Sequence, residues 1–453
     1  MSPDVQERLQ SQIDRWRAHV LAHGAAETHV AVVEGQLRDH AARLVDAGLD
    51  AGEAFLVALR RVAVSDEASR DFARAHSDEL WIRPAENEGD QGLADGATRE
   101  FSVMLGFAAA AALAVKAPAL LGFPLDGYAG FYVRNLSLFV LPFLAMYFIW
   151  KRGLSRKGVA GLSAVFVAGA VCANVYPFTP DGSTEMLTAI HLPIVLWLAV
   201  GVAYASGDWL SQARRMEYVR FTGEWLVTYA LIALGGGVLV AITVGVFEAI
   251  GLDVSTLIEE WVLPCGAMGA VIVAAWLVGS RRSLVGGLAP MLARVFTPLF
   301  SIMLVALLGG VVWTRGVINI ERDVLILFDL LLVVVLALLL YAISARQPLS
   351  ESRLFDRIQL LLVVCALAVD VFALLNIASR LSQYGFSANR TVALGLNLIL
   401  LVNLTWSASL QMGFLRSRRS LEAIERWQMR YLPVYALWAA IVVVAFPPLF
   451  GFA

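Results

Sequence analysis

The chain has 453 residues, of which 59% are hydrophobic and only 16% are charged. An ordinary soluble domain carries less apolar and more charged sequence, so the lipid bilayer is the expected surrounding of most of this chain. The formal net charge of -2 is nearly balanced. It gives neither the basic footprint of a nucleic-acid-binding protein nor the field of a trap for acidic substrates, and we expect no nucleic-acid partner.

The three cysteines, Cys172, Cys265 and Cys365, lie far apart within apolar runs, and no CxxC pair occurs. An odd number of isolated cysteines favours buried free thiols over a disulfide framework or a zinc site. We therefore expect no metal and no cofactor. The first ten residues are polar and lack the apolar core of a secretory signal, so no cleaved signal peptide is expected.

Residues 1–83 have the pattern of a small soluble helical bundle, which we expect on the cytoplasmic side. Apolar residues recur at spacings of three and four while charged residues occupy the other faces. Four helices are predicted. The first carries the apolar residues from Val5 to Val20, the second runs from Val30 to Gly48, the third begins at Asp50, and the fourth begins at Ser65. A bundle this small has a marginal core. Residues 1–83 are therefore a candidate docking site for a cytoplasmic protein partner.

Residues 84–99 include the acidic, glycine-rich stretch PAENEGDQGLADG, which has no apolar periodicity and predicts a flexible linker. From residue 100 to 453 we expect an all-α, polytopic transmembrane bundle, because eleven apolar runs are each long enough to cross about 30 Å of hydrocarbon as a helix. The predicted spans are 101–122, 130–150, 158–178, 186–205, 225–250, 261–280, 297–314, 323–344, 358–379, 391–413 and 431–449.

The loops between these spans differ in their content of lysine and arginine. Alternate loops hold 18 basic residues against 4 in the other set. Basic residues near span ends are retained on the cytoplasmic side. With eleven spans, this asymmetry predicts a cytoplasmic N-terminus and the C-terminal GFA outside.

Residues 37–80 resemble permease prefix domain 1, a module found before the membrane domains of bacterial permease-like proteins. The resembling features are the run LRDH, the turn AGL, and Glu53-Ala54-Phe55 leading to Arg60-Arg61. The sequence departs from that pattern at Ala63-Val64, where a glycine is expected. The resemblance implies a domain attached to a permease-like membrane protein.

The stretch QYGFSANRTVAL resembles a motif near the C-terminus of the bacterial membrane family catalogued as domain of unknown function 4153. Its matching residues are Tyr384, Gly385, Asn389 and Arg390, while Thr391 stands where that family has an aromatic residue. The stretches FYVRNLSLFVLPFLAMYF and RRSLVGGLAPMLARVFTPLFSIMLVAL fit the family more loosely. The resemblance implies a multi-pass bacterial inner-membrane protein, and it supplies a permease-like name without an activity.

Ionisable side chains within the predicted spans are costly to bury and are functional candidates for that reason. The candidate intramembrane polar site comprises Lys116, Arg134, His191, Glu248, Asp329, Asp370, Asn397 and Asn403. In the functional interpretation, Lys116 and Arg134 face the acids Glu248, Asp329 and Asp370 across a water-filled cavity that opens to the outside. An acid left unpaired there would bind a proton or a cation.

Several alternatives remain open for these side chains. Lys116, Arg134 and Glu248 could instead extend to the outer headgroups, with Asp370 neutral or hydrogen-bonded between helices. Depth argues for a functional role of Asp370, because a short side chain cannot reach the headgroups. His191 has no second histidine nearby, which favours a hydrogen-bonded packing residue. Asn403, Ser407 and Gln411 recur every four residues, and such a stripe serves interhelical hydrogen bonds more often than a substrate path.

No catalytic residue is predicted. The Walker A, GxGxxG, HExxH and GxSxG motifs are absent from the sequence, which argues against an ATPase, a zinc protease or a serine hydrolase. The leading hypothesis is a transporter-like or permease-like protein with an outward-facing polar cavity and a cytoplasmic regulatory or docking domain. The alternative is a membrane sensor or assembly scaffold that signals through residues 1–83. A homo-oligomer is compatible with both.

Overall fold

The computed structural model describes residues 3–22, 27–46, 49–62, 89–180, 182–249, 252–279, 288–313, 322–344 and 353–453. The chain divides into two compact units, Met1–Glu100 and Phe101–Ala453. The described parts of both units consist of helices, which agrees with the predicted all-α class.

The N-terminal unit contains helices α1 (Pro3–Ala22), α2 (Glu27–Asp46) and α3 (Ala51–Val62). Their apolar stripes meet in one core, in which Ile13, Trp16 and Leu37 are completely buried. Helix α3 begins after Asp50, whose carboxylate accepts a hydrogen bond from the Gly52 N–H and so satisfies an otherwise free helix donor. The predicted helix from Ser65 and linker residues 84–88 lie outside the described residues. From residue 89 the chain is helical.

The larger unit is a bundle of long apolar helices. Its elements, with the helix that leads into it, are α4 (Gly89–Leu120), α5 (Ala129–Asn135), α6 (Leu141–Arg152), α7 (Arg156–Val175), α8 (Ser183–Tyr204), α9 (Gln212–Ala249), α10 (Ser255–Gly279), α11 (Leu288–Trp313), α12 (Arg322–Ser344), α13 (Arg353–Tyr384), α14 (Ala388–Leu415), α15 (Leu421–Val444) and α16 (Phe446–Leu449). Helices α4 to α10 supply most of one apolar core, and α11 to α15 supply most of a second.

Nine of the described helices are long and apolar enough to cross a membrane. They coincide with nine of the eleven predicted spans, so the protein is an integral, multi-pass membrane protein. The predicted count of eleven is not confirmed. Predicted span 297–314 lies in α11, whose described apolar part, Val295–Gly310, is shorter than a typical crossing helix. Predicted span 130–150 is not one helix.

Helices α5 and α6 divide the predicted second span, with a turn over Leu136 to Val140 between them. Pro142, at the start of α6, explains the break, because proline has no N–H to donate and its ring disfavours a preceding helical turn. The broken segment nevertheless follows α8 from end to end. Arg134 contacts Glu185 near one end of α8, and the Arg152 guanidinium lies 3.7 Å from the ring centroid of Tyr204 at the other.

Candidate functional site

Asp370 is the most deeply enclosed acid among the described residues. It lies midway along α13 with 0% of its surface exposed. Neither of its carboxylate oxygens has a hydrogen-bond partner in the described part of the chain. The great majority of buried polar groups in proteins have a hydrogen-bond partner. An unpaired buried carboxylate is therefore a strong indication of a ligand or proton site.

Asp329 and Asn397 complete the group around Asp370. Asn397, on α14, donates a hydrogen bond of 2.8 Å from Nδ2 to Oδ1 of Asp329 on α12. Helices α12 and α14 both pack against α13, the helix that carries Asp370. The Oδ1 atom of Asn397 is buried and receives no hydrogen bond from the described residues. We call Asp329, Asp370 and Asn397 the acid cluster.

The surroundings of the acid cluster are apolar. Along α13, Ala366, Val369 and Ala373 are buried on the same side as Asp370, and Leu400 on α14 is also fully buried. Such walls lower the local dielectric and strengthen every charge interaction within the cluster.

The expected basic partners of these acids lie elsewhere. Lys116 donates a 2.5 Å hydrogen bond from Nζ to the backbone oxygen of Glu260, and its ammonium lies 4.6 Å from the ring centroid of Trp261. Both residues belong to a π-helical turn, Ile258–Val262, within α10. A π-turn displaces carbonyls from regular helical bonding, and here a lysine binds one of them.

Arg134 forms an ion pair of 2.6 Å with Glu185, and its guanidinium lies 5.4 Å from the ring centroid of Phe178. Both charged side chains are mostly buried, with 20% and 13% of their surfaces exposed. Glu185 was missed in the sequence because it lies in the first turn of α8, just outside the predicted span. The available signal was an acid at a helix N-terminus, where negative charge is favourable.

The next two predicted residues show no link to the acid cluster. Nδ1 of His191 is 2.8 Å from the backbone oxygen of Leu187 in the same helix. Glu248 lies on an exposed part of α9. No group of three or more metal-binding His, Cys, Asp or Glu side chains occurs in the described part of the chain.

Asn403 belongs to a separate polar network between α14 and α15. Its Nδ2 donates to the hydroxyl of Tyr435 at 2.6 Å and to Oε1 of Gln428 at 3.1 Å. Its Oδ1 accepts from the indole N–H of Trp427 at 2.7 Å, while Gln428 Nε2 donates to Ser407 Oγ at 2.7 Å. This dense bonding agrees with interhelical hydrogen bonds as the use of the Asn403 and Ser407 stripe.

Gln411, the third member of that stripe, contributes to a different feature. It lines a small recess with Asp356 and Gln359, closed by the apolar side chains of Phe414 and Ile424. Both amide atoms of Gln411 and the Nε2 atom of Gln359 are buried without a hydrogen-bond partner in the described residues. The recess lies at the end of α13 opposite to the Tyr384 loop, and Asp370 lies between the two ends.

The motif residues lie around the turn between α13 and α14: Tyr384 ends α13, Gly385 is in the turn, and Asn389 and Arg390 are in the first turn of α14. Gly385 has a φ of +71°, a conformation that glycine adopts at little cost at a helix C-terminus. The Arg390 guanidinium donates to the backbone oxygens of Tyr384 at 3.1 Å and Gly385 at 2.8 Å. These hydrogen bonds of Arg390 close the end of α13 and give Arg390 a structural role.

No model of a known protein family matches this chain, and neither a curated protein nor a solved structure matches it. The two resemblances noted in the sequence therefore stay hypotheses. The class that the fold and the site define is a multi-helix integral membrane protein with a buried acid cluster in its second core.

Proposed function

We propose that this protein is an ion-coupled, permease-like carrier whose binding site is the acid cluster. The observation that carries the proposal is the complete burial of Asp370 without a hydrogen-bond partner in the described residues. A carboxylate in the membrane interior is retained where it binds something, because an apolar residue in its place would be more stable. Asp329 and Asn397 supply further oxygen atoms at the same place.

The proposal replaces the open polar cavity with an enclosed site. Asp370 and Asn397 have no exposed surface, so an ion reaches them only when helices separate. Transport by alternating access requires such closed states between states that open to either side. We propose that the outward-facing cavity forms in another conformation, in which α12, α13 and α14 part at the acid cluster.

The proposed topology has all eleven segments crossing a bacterial inner membrane, with the N-terminus in the cytoplasm and the C-terminus outside. Contacts between helix ends support it. Lys151 donates to the backbone oxygen of Gly279, and Arg220 donates to that of Ser344, so predicted cytoplasmic ends meet. The pairs formed by Arg134 and by Lys116 join predicted outer ends. A broken crossing helix like α5–α6 is common near the sites of carriers.

The N-terminal unit is proposed to be a regulatory or docking domain for a cytoplasmic protein. Its compact core of α1 to α3 supports a separately folded domain, and the resemblance to permease prefix domain 1 fits this role. The same core favours the second candidate, a sensor or scaffold that signals through this unit. Stable capture of a cytoplasmic partner, combined with no ion movement by the membrane unit, would favour the sensor.

The test is ion-driven charge movement by the purified full-length protein in proteoliposomes on a solid-supported membrane. A step in pH and, separately, a step in Na⁺ concentration are applied. We expect charge movement in at least one case, its loss in Asp370→Asn, and its retention in the matched control Glu248→Gln, which changes an exposed acid of α9. A wild-type protein that moves no charge under either step would overturn the proposal.

A further inference from the structure

We propose that the ion bound at the acid cluster is a proton, and that Asp370 is the residue that carries it. This inference rests on the proposed function, because it names the ion of that same site. Three features of the acid cluster favour a proton: the few ligand atoms, the absence of an ion-paired basic side chain in the described residues, and the excess of acceptors over donors.

The described side chains of the acid cluster do not by themselves complete the ligand set of a dehydrated hard cation. Hard cations such as Ca²⁺ and Mg²⁺ are held by about six or more oxygen atoms. The described side chains supply two carboxylates and one amide oxygen. Carriers of metal ions add backbone carbonyls from unwound helices, but α12, α13 and α14 run as regular α-helices through the cluster. Their backbone oxygens at this level are engaged in helical hydrogen bonds.

Within the described residues, no basic side chain forms an ion pair with either carboxylate of the acid cluster. Helices α11, α12 and α14 pack against α13. From Val295 to Trp313 and from Thr391 to Leu415 these neighbours carry no ionisable residue, and from Val324 to Ser344 they carry only Asp329 and Tyr341.

On α13 itself, Arg380 is ten residues from Asp370, about 15 Å along the helix, and Asp356 lies about 21 Å away in the other direction. Tyr341 is likewise twelve residues from Asp329, about 18 Å along α12. Arg322 on α12 and Arg390 on α14 lie seven residues before Asp329 and Asn397, about 10 Å along each helix. Arg390 donates to the backbone oxygens of Tyr384 and Gly385. Asp329 is thus the acid that the described neighbouring helices contribute to the acid cluster. Two neighbouring carboxylates in an apolar environment repel each other strongly, and one bound proton removes that repulsion.

A proton also resolves the hydrogen-bonding mismatch. In the ionised state the oxygens of both acids and Oδ1 of Asn397 are all acceptors, and the donor to them in the described residues is the Asn397 amide. Binding of H⁺ to one oxygen of Asp370 converts the carboxylate to a neutral carboxyl group with one O–H donor. Among the acceptors of the cluster, the buried Oδ1 of Asn397 receives no hydrogen bond from the described residues. Release of the proton restores the charge of −1 on Asp370, so each cycle moves one proton and consumes no other reactant.

The experiment is pH-difference infrared spectroscopy on the purified full-length protein in lipid nanodiscs. A protonated carboxyl group has a C=O stretching band that a carboxylate lacks. We expect a band that disappears as pH is raised, is lost in Asp370→Asn, and is retained in Glu248→Gln. Asparagine is isosteric with the neutral acid, so Asp370→Asn is expected to fold. In a second variant, Asp329→Asn, the Asp370 band should persist at a shifted frequency.

Sodium at constant pH and ionic strength, with choline as the control cation, separates the two ions. We expect the Asp370 band to be unchanged by Na⁺. A band that Na⁺ removes and choline does not would overturn the proton assignment while the ion-coupled carrier stands. A band that persists in Asp370→Asn would also overturn it. If the Asp370 band responds to pH but the protein moves no charge in proteoliposomes, the carrier function is overturned and the proton site stands.

Discussion

The side-chain amide of Asn397 holds Oδ1 of Asp329 at 2.8 Å across the interface between α12 and α14. The same Nδ2 lies 2.8 Å from the backbone oxygen of Ala393, one turn back in α14. The Asn397 rotamer is therefore fixed by its own helix, and Asp329 receives a donor in a defined position. This bond links the acid cluster to the packing of the bundle.

Removal of the Asn397 amide is expected to destabilise the membrane unit. In Asn397→Ala the half-buried Asp329 loses the amide donor of Asn397, which costs about 1.5–3 kcal/mol for a charged acceptor. The matched control is Leu398→Ala, since Leu398 is 48% exposed on the adjacent position of α14. Thermal unfolding in detergent, followed by tryptophan fluorescence, provides the comparison. Equal losses in the two variants would show that the bond contributes nothing.

The ion pair of Arg134 and Glu185 should give a measurable coupling energy. Because both side chains are mostly buried, a double-mutant cycle with Arg134→Ala and Glu185→Ala is expected to give about 1–3 kcal/mol. The exposed pair of Arg214 and Glu217, with 45% and 51% of the side chains exposed, serves as the control and should give less than about 1 kcal/mol. A coupling near zero for the buried pair would mean that it does not hold α5 against α8.

Gly395 is required by the close packing of α14 against α15. A Cβ atom at this position would lie 2.1 Å from the indole ring of Trp438, too close for any real contact. Gly395→Ala is therefore expected to cost about 1–3 kcal/mol through displaced packing. The same change at Gly236, where a Cβ meets nothing within 4 Å, should stabilise α9 by about 0.5–1 kcal/mol. Differential scanning fluorimetry distinguishes the two signs.

Two buried glutamines should respond differently to loss of their amides. Gln428→Met removes the hydrogen bonds of Gln428 to Asn403 and Ser407 and is expected to cost about 1–3 kcal/mol, although Asn403 keeps its bonds to Tyr435 and Trp427. Gln411→Met removes an amide whose two polar atoms have no hydrogen bond in the described residues, so its cost should be smaller. Thermal unfolding of both variants in the same detergent gives the comparison. A larger loss for Gln411→Met would mean that the recess binds an additional group.

Hydropathy predicted much of the membrane unit because a helix that crosses lipid must be long and apolar, and nine predicted spans coincide with candidate spans. The break at Leu136 to Val140 was not predicted, since the run 130–150 is mostly apolar despite Arg134 and Asn135, and only Pro142 signals a break. For an isolated segment, a proline in an apolar run is compatible with a continuous helix. The packing of α5 and α6 beside α8 decides between a continuous helix and a broken one.

The candidate site was predicted as a set of residues but not as an arrangement. Their positions within predicted spans identified Asp370, Asp329 and Asn397, because burial of polar groups in lipid is costly. It could not show which side chains meet. Lys116 binds a backbone oxygen 144 residues away, and Arg134 pairs with an acid 51 residues away. Such partners depend on helix packing, which leaves no local pattern in the sequence.

The topology is tested by single cysteines and an impermeant thiol reagent on intact cells, in a background without Cys172, Cys265 and Cys365. The sequence places Gly182 and Ser387 outside, and Ser155, Ser350 and Ser417 inside. Gly182 is unsuitable for labelling, because a Cβ there would lie 2.8 Å from the Thr179 backbone oxygen. Thr179 is used as the labelling position instead. It is exposed in the same loop, and its N–H donates to the backbone oxygen of Phe452.

We expect labelling at Thr179, Ser387 and Tyr128 and none at the three inner positions, because each basic residue in an inner loop opposes translocation across the membrane potential. Tyr128 and Ser155 flank α5 and α6, so labelling of Tyr128 alone means that the broken segment crosses the membrane. Labelling of both Tyr128 and Ser155 would mean that the segment of α5 and α6 is re-entrant. Lysed cells provide the control for reactivity. Ser387 decides the last helices, since its loop carries Arg380 and Arg390 against the general trend. Labelling at Ser417 but not at Ser387 would invert α13 to α15, place the acid cluster nearer the cytoplasm, and remove the basis for access from outside.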